Sequence, residues 1–229
     1  MQKKTKIILG TSAAVVVVLG VSAAAFGPAF YRDVIVGAPE AAPSVSAAPA
    51  DSTLDTSDLS GEWQIGTGST AGYRVDEVLN GTPVTVNGRT DAVTGDITVA
   101  GSQVTKGTMT VDVTKIATDQ PPRDAYFQDE AMETGDFPTA TFTLTQPIAA
   151  DGVEAGVPAT YDVTGDLTLH GVTKSVTARM QASFTSDGGQ IVGSIPITFQ
   201  DFGVQAPSLG FVTVEDHGSV EFSLDVARA

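Results

Sequence analysis

One stretch of the sequence carries the clearest structural signal: residues 161–184 read YDVTGDLTLHGVTKSVTARMQASF. Apolar side chains occupy alternate positions on both sides of a central His170-Gly171 pair, with Leu167 and Leu169 before it and Met180 after it. An alternation of period two is typical of a strand with one apolar and one polar face. A turn-forming pair between two such runs predicts a tight antiparallel hairpin.

The same alternation recurs along the body of the chain. In Val220–Val226 the apolar residues share one face, and Glu221 falls on the opposite face, which we expect to be solvated. Turn signals between the runs include Asn80-Gly81, Asn87-Gly88 and Asp187-Gly188. About eight such strands, without the alternation of strands and helices that parallel sheets need, predict an all-β antiparallel barrel or sandwich.

One segment departs from this pattern. Residues 121–138 read PPRDAYFQDEAMETGDFP and show no period-two alternation. We expect one short helical excursion here. Two roles stay open for it, namely a cover over one end of a barrel and a plug that completes the hydrophobic core.

The N-terminal part of the chain reads as a membrane segment and a linker. Residues 1–6 form a basic end with three lysines, and the 24 residues Ile7–Phe30 carry no charge. This length suits a transmembrane anchor, and the alternative is a signal peptide cleaved near Ala23–Ala25. The lysines predict a cytoplasmic N-terminus, so the rest of the chain lies outside the cytoplasmic membrane, or is secreted after cleavage. Residues 31–60 predict a flexible Ala/Pro/Ser linker, and residues 61–229 the folded body.

Composition excludes several functional classes. Twelve Lys and Arg against twenty-seven Asp and Glu give a net charge of −15, which opposes nucleic-acid binding. The chain has no Cys and two His, His170 and His217, so disulfides, thiolate sites and multi-His metal centres are excluded. His217 follows Glu215 and Asp216, and an acidic loop is a simpler interpretation than a weak metal site. We therefore expect a binding protein, not an enzyme, with no cofactor and no metal.

The sequence GDLTLHGVTKSV at residues 165–176 resembles the hairpin motif of the YceI-like family of lipocalin-like, polyisoprenoid-binding proteins. Further matching pieces follow the family's order: Trp63, Arg123-Asp124, Phe137-Pro138 and Asp201–Val204. Two positions depart from the family pattern. Residues 66–73 lack the His that usually follows the first Trp, and Gln200 replaces an Arg.

The resemblance implies a lipocalin-like β-barrel that holds a long-chain isoprenoid or a similar lipid, such as an isoprenoid quinone. A barrel of about eight strands has room for one such ligand. Apolar parity and the resemblance together predict these lumen residues: Trp63, Tyr73, Val111, Phe127, Phe142, Tyr161, Val163, Leu167, Leu169, Met180, Phe184, Ile197 and Phe222. Arg123 and His170 are candidates for polar groups at the mouth, although a salt bridge from Arg123 to Asp124 or another nearby carboxylate is a simpler role for the arginine.

Two other functions stay open. A cell-surface structural or interaction domain would have a filled core and no cavity. An enzyme of lipid modification would bring His170 or His217 together with a carboxylate inside the lumen. The expected partners are the lipid and, through the N-terminal helix, the membrane; a homodimer is also allowed, and nucleic acid is not expected.

Overall fold

The computed structural model describes residues 41–45, 59–150, 153–185, 188–208 and 210–229. The predicted transmembrane segment Ile7–Phe30 and most of the predicted linker lie outside these ranges. Among the residues described, no helix has the length and apolar character needed to cross a membrane.

The described residues contain twelve β-strands, one short α-helix and three other short helical turns. The strands are β1 (Gly61–Ile65), β2 (Thr70–Leu79), β3 (Thr82–Thr90), β4 (Val93–Thr94), β5 (Asp96–Ala100), β6 (Gln103–Asp112), β7 (Thr139–Leu144), β8 (Ile148–Ala149), β9 (Ala159–Leu169), β10 (Val172–Phe184), β11 (Gly189–Thr198) and β12 (Val212–Arg228). Helix α1 (Pro121–Tyr126) continues into a π-helical turn (Phe127–Ala131), and the 3₁₀ turns are Val113–Lys115 and Phe199–Phe202.

Eight of these strands close a barrel. The order is β1-β5-β6-β7-β9-β10-β11-β12, and pairing of β1 with β12 completes the ring. Every pairing in the ring is antiparallel. The long β12 also pairs with β2, and β2 pairs with β3, so this hairpin extends the wall at one end. The predicted all-β antiparallel barrel of about eight strands with one short helix is confirmed.

Two of the predicted turns are tight hairpin turns. His170 and Gly171 join β9 to β10 with φ of 49° and 71°, and Leu169 pairs with Val172 across the turn. Asn80 and Gly81 join β2 to β3 with φ of 48° and 79°. Positive φ at both central residues is the signature of a type I′ turn, whose twist matches that of the flanking strands.

The predicted turn at Asn87-Gly88 is wrong. Both residues lie inside β3, where Gly88 pairs with Tyr73 of β2. A Cβ on Gly88 would overlap the Tyr73 ring, so this glycine serves close packing and not a change of chain direction.

The solvated position predicted for Glu221 is also wrong. Glu221 points away from the lumen, on the face of β12 opposite to Phe222, yet it is only 2 % exposed. Arg74 donates to one carboxylate oxygen at 2.7 Å, and Arg89 donates to the other. The two guanidinium groups cover the carboxylate, so a charged residue on the outer wall is buried without being left unpaired.

The packed body includes Leu59, which precedes the predicted boundary at Gly61 by two residues. Leu59 is 4 % exposed, and its carbonyl oxygen accepts a hydrogen bond of 2.9 Å from the indole Nε1–H of Trp63. Arg228, at the end of β12, stacks over the Trp63 ring and donates to the carbonyl of Ser60. The two ends of the folded body are therefore held together.

Candidate functional site

The barrel interior contains two cavities that share no lining residue. The smaller has a volume of about 120 Å³ and the larger about 520 Å³. The smaller lies at the end where β9 and β11 begin and β10 and β12 finish, and the larger lies at the opposite end. The described part of the barrel interior therefore contains two separate spaces, one towards each end.

The smaller cavity has an almost wholly apolar wall. Seven of the predicted lumen residues line it: Trp63, Phe142, Tyr161, Val163, Met180, Phe184 and Phe222. Leu59, which lies just before β1, also lines this cavity. Trp63 packs edge-on against Phe184, with 6.0 Å between the ring centroids. The wall offers little for a polar ligand group to bind.

The larger cavity lies beneath the helical excursion. Five predicted lumen residues line it: Tyr73, Val111, Phe127, Leu169 and Ile197. The excursion contributes Phe127 and Met132, and the chain after β11 contributes Val204–Pro207 and Phe211. Of the two roles left open for the excursion, the structure supports the cover, since its residues form part of the cavity wall.

Leu167 lines neither cavity, although its side chain was predicted to face a ligand. It is only 1 % exposed, and Ala178 and Ile195 are completely buried and likewise line neither space. These three residues belong to one buried cluster and lie between the two cavities. The prediction of a ligand contact at Leu167 is therefore wrong for the barrel as it stands, because the residue is packed on all sides.

An ion pair lies on the wall of the larger cavity. Arg123 of α1 donates from Nη2 to Oε1 of Glu77 over 3.3 Å, and from Nη1 to Oδ1 of Asp119 over 3.0 Å. Glu77 is buried with 7 % exposure, whereas the Asp119 side chain is 48 % exposed. Arg123 thus lies on the wall of the larger cavity, and the nearby carboxylate that it pairs with is Asp119 and not Asp124. Asp124 instead accepts hydrogen bonds from the backbone and hydroxyl of Thr118.

Glu77 is a functional candidate that the sequence reasoning missed. It lies on the same face of β2 as Ala71, Tyr73 and Val75, which all line the larger cavity. The sequence feature that could have identified it is its position in β2, where Glu77 alternates in step with the apolar residues that face the barrel interior. Because the chain around Glu77 alternates only weakly, that parity was not recognised.

Tyr73 provides an uncharged polar group beside the ion pair. Its ring stacks on Phe127 with 4.9 Å between centroids and an interplanar angle of 17°. Burial raises the pKa of the Tyr73 hydroxyl to about 12, and Arg123 opposes this only in part. The hydroxyl is therefore protonated at neutral pH and can donate a hydrogen bond.

His170, predicted at the polar mouth, lies on neither cavity wall. Its imidazole Nε2 lies 3.1 Å from Oε2 of Glu133, and Nδ1 lies 3.1 Å from the carbonyl oxygen of Phe202. The ring also packs edge-on against Phe137 at 4.7 Å. These contacts tie the hairpin turn to the excursion and to the 3₁₀ turn after β11. The mouth position is thus wrong for His170, because its ring nitrogens already hold partners outside the cavity.

His217 is an exposed residue within strand β12, where it pairs with Thr198 of β11. It hydrogen-bonds Asp216 at 3.0 Å, and this bond, together with the neighbouring carboxylates, raises the pKa of the imidazole. Glu215, Asp216 and His217 form a group of three metal-capable side chains, all exposed. The predicted acidic loop is wrong, because all three residues lie within β12, at the point where its pairing with β2 is interrupted between Val214 and Gly218.

The barrel is similar in fold to a solved structure. The polyisoprenoid binding domain from Saccharophagus degradans implicated in plant cell wall breakdown superposes with a TM-score of 0.60, and the match covers 74 % of this chain and 99 % of that domain. Sequence identity is 20 %, so the similarity concerns the fold.

Sequence comparison gives nearer relatives. A UPF0312 protein of Vibrio vulnificus (strain YJ016) is 30 % identical over 145 residues, which is 58 % of this chain and 72 % of that protein. Protein YceI of Escherichia coli O157:H7 is 40 % identical over 73 residues, which cover 31 % of this chain and 35 % of that protein. The pattern of the YceI-like domain matches residues 63–226, almost the whole barrel, and the chain therefore belongs to the YceI-like family.

Proposed function

We propose that this protein binds an apolar lipid of the isoprenoid class, without enzymatic chemistry, in the larger cavity of the barrel. The observation that carries the proposal is the cavity itself. It measures about 520 Å³, its wall is mostly hydrocarbon, and its polar groups include the ion pair between Glu77 and Arg123. Pockets of about 300–1,000 Å³ with a few convergent polar groups are typical of small-molecule sites.

Affinity in such a site comes from removing the chain of the lipid from water. Each buried methylene contributes roughly 0.8 kcal/mol before the entropic costs of binding are subtracted. The competing hypothesis, a surface domain with a filled core, predicts no cavity, so the open space favours binding. The polyisoprenoid binding named for the Saccharophagus domain of the same fold adds support for an isoprenoid chain.

The positions of the two histidines support a non-enzymatic role. The enzymatic alternative requires a histidine and a carboxylate that converge inside the lumen. His170 pairs with Glu133 outside both cavities, and His217 pairs with Asp216 on the surface. Neither pair lies on the wall of the larger cavity.

We place the barrel at the outer face of the cytoplasmic membrane, held there by Ile7–Phe30. The support is the uncharged length of that segment and the lysines before it, both properties of the sequence. Intact-mass analysis of the membrane-extracted protein tests the anchor. A mature chain that begins near Phe26 would replace the anchor with a cleaved signal peptide and a secreted product. The homodimer stays a prediction of the sequence.

Lipid extraction of the full chain, purified in mild detergent, tests the binding function. We expect mass spectrometry of the organic extract to find an isoprenoid lipid, and Val111→Trp to reduce it at least tenfold by filling the larger cavity. Val78→Trp places the same side chain on the exposed face of β2 and should leave the bound lipid unchanged. An extract without lipid, together with no uptake of added geranylgeraniol, would refute the proposal in favour of a surface domain.

A further inference from the structure

A packed layer separates the two cavities. On β9, Val163 lines the smaller cavity and Leu169 the larger, and Leu167 between them lines neither. On β11, Ile191 lines the smaller and Ile197 the larger, and the completely buried Ile195 lies between them. On each strand a buried residue that lines neither cavity separates the residues that line one from those that line the other, and these buried residues are the floor of the larger cavity.

Two aromatic rings thicken this floor on the side of the smaller cavity. The Phe142 ring lies across Gly165 of β9, and the Phe222 ring lies across Gly193 of β11, so that a Cβ on either glycine would overlap a ring. Phe142 and Phe222 are 6 % and 2 % exposed. The rings can lie against the walls because glycine has no side chain at these two positions.

The volumes limit what each space can hold. An apolar protein cavity of about 150 Å³ accommodates benzene, with six carbon atoms. On this scale the larger cavity, of about 520 Å³, holds about 20 carbon atoms, or about four isoprene units. The smaller cavity, of about 120 Å³, holds about five carbon atoms, too few for a second stretch of chain.

We infer that Leu167, Ala178 and Ile195 set the chain length of the ligand, and that the protein selects chains of about four isoprene units over much longer ones. The inference rests on the proposed lipid-binding function. Carbon atoms beyond this length meet the floor, so a longer chain that leaves its detergent micelle has to expose them to water, and each exposed methylene lowers its affinity roughly fourfold relative to the micelle. Selection therefore comes from a geometrical limit in the apolar part of the site and is independent of the head group.

A competition experiment tests the limit. The full chain is offered an equimolar mixture of farnesol, geranylgeraniol and solanesol, in order of increasing chain length, and the bound pool is extracted and quantified. We expect the wild-type protein to enrich geranylgeraniol over solanesol by about tenfold or more. Ile195→Ala should join the cavities and shift this ratio toward solanesol by about tenfold, and Leu167→Ala provides an independent second opening of the same floor.

Ile191→Ala is the matched control, because it removes the same atoms from the same strand inside the smaller cavity and leaves the floor in place. Its chain-length ratio should equal that of the wild type. Wild-type protein that binds solanesol as well as geranylgeraniol would overturn the length limit while leaving lipid binding intact. Protein that takes up none of the three alcohols and carries no lipid would overturn both. Circular dichroism identifies any floor variant that does not fold. In that case the ratio of geranylgeraniol to solanesol bound by the wild-type protein decides whether the length limit exists.

Discussion

Arg123 of helix α1 donates to Glu77 of β2 on the wall of the larger cavity, with 3.3 Å between Nη2 and Oε1. The contact joins residues 46 positions apart in the chain and ties the excursion to the inner wall of the barrel. Asp119, on the solvent side, holds the other end of the same guanidinium group. One arginine thus pairs with a buried and an exposed carboxylate.

Loss of Arg123 should destabilise the fold more than loss of the exposed Asp119 does. We expect Arg123→Met to lower the free energy of unfolding by about 1–3 kcal/mol, because Glu77 is left without its ion-pair partner in an apolar wall. Asp119→Asn removes only an exposed pair and should change stability by about 0.5 kcal/mol or less. Urea unfolding of both variants is the measurement. Equal losses of unfolding free energy in the two variants would show that water reaches Glu77 freely. In a second test, Glu77→Gln should recover part of the stability that Arg123→Met loses, because it removes the unpaired charge.

The glycine beneath Phe222 should resist substitution. Gly193→Ala places a Cβ inside the Phe222 ring, so we expect a loss of about 1–3 kcal/mol from overpacking. Gly107→Ala is the control, since its Cβ would meet Leu144 at 3.7 Å, an ordinary contact distance. Chemical denaturation of both variants decides the point. If Gly193→Ala were as stable as the control, the Phe222 ring would be free to move away from the wall. The floor of the larger cavity would then be able to change its shape.

The two cavities should respond differently to a large side chain. Val163 is 2 % exposed and faces the smaller cavity, so Val163→Trp should lower stability by about 1–3 kcal/mol. Val111→Trp points into the larger cavity and should cost about 0.5 kcal/mol or less while preventing lipid uptake. Thermal unfolding and bound lipid are measured for both. A similar destabilisation in the two variants would mean that the larger space is closed in solution.

Tyr73 should make the fold sensitive to alkali. Its pKa is about 12 in the folded protein against an ordinary 10, so the folded state keeps the proton over a range where the unfolded chain loses it. The contribution is complete below pH 10 and disappears as the pH rises toward 12, which corresponds to roughly 1 kcal/mol lost at pH 11. Urea unfolding at pH 9 and 11 should show a smaller alkaline loss in Tyr73→Phe than in the wild type. An identical loss would indicate that water reaches the hydroxyl.

The start of the folded body can be located by truncation. We expect the chain 59–229 to be more stable than the chain 61–229 by about 1.5–3 kcal/mol, because Leu59 is buried and its carbonyl accepts from Trp63. The sequence predicts that 61–229 still folds by itself. Thermal unfolding of the two chains tests both statements. Equal midpoints would show that Leu59 adds nothing, and an unfolded 61–229 would place the domain boundary before Gly61.

Most of the candidate site was recognisable from the sequence, and the errors have a common origin. Apolar parity identified residues such as Phe142 and Ile197 that line the cavities. It could not reveal that Leu167 is packed on all sides, because parity distinguishes inward from outward and says nothing about what fills the space in front of a side chain. Glu221 shows the converse, since an outward carboxylate is buried only because Arg74 and Arg89 cover it from two other strands.

The sequence by itself determined the barrel, its hairpins and the family, because strand alternation, turns such as His170-Gly171 and the motif around them are properties of neighbouring residues. Only the tertiary structure decided that the interior is divided, that Arg123 pairs with Glu77, and that His170 is held by Glu133 away from both cavities. These features depend on the stagger of strands around the barrel and on side chains that meet from distant parts of the chain. A local pattern carries no information about such distances.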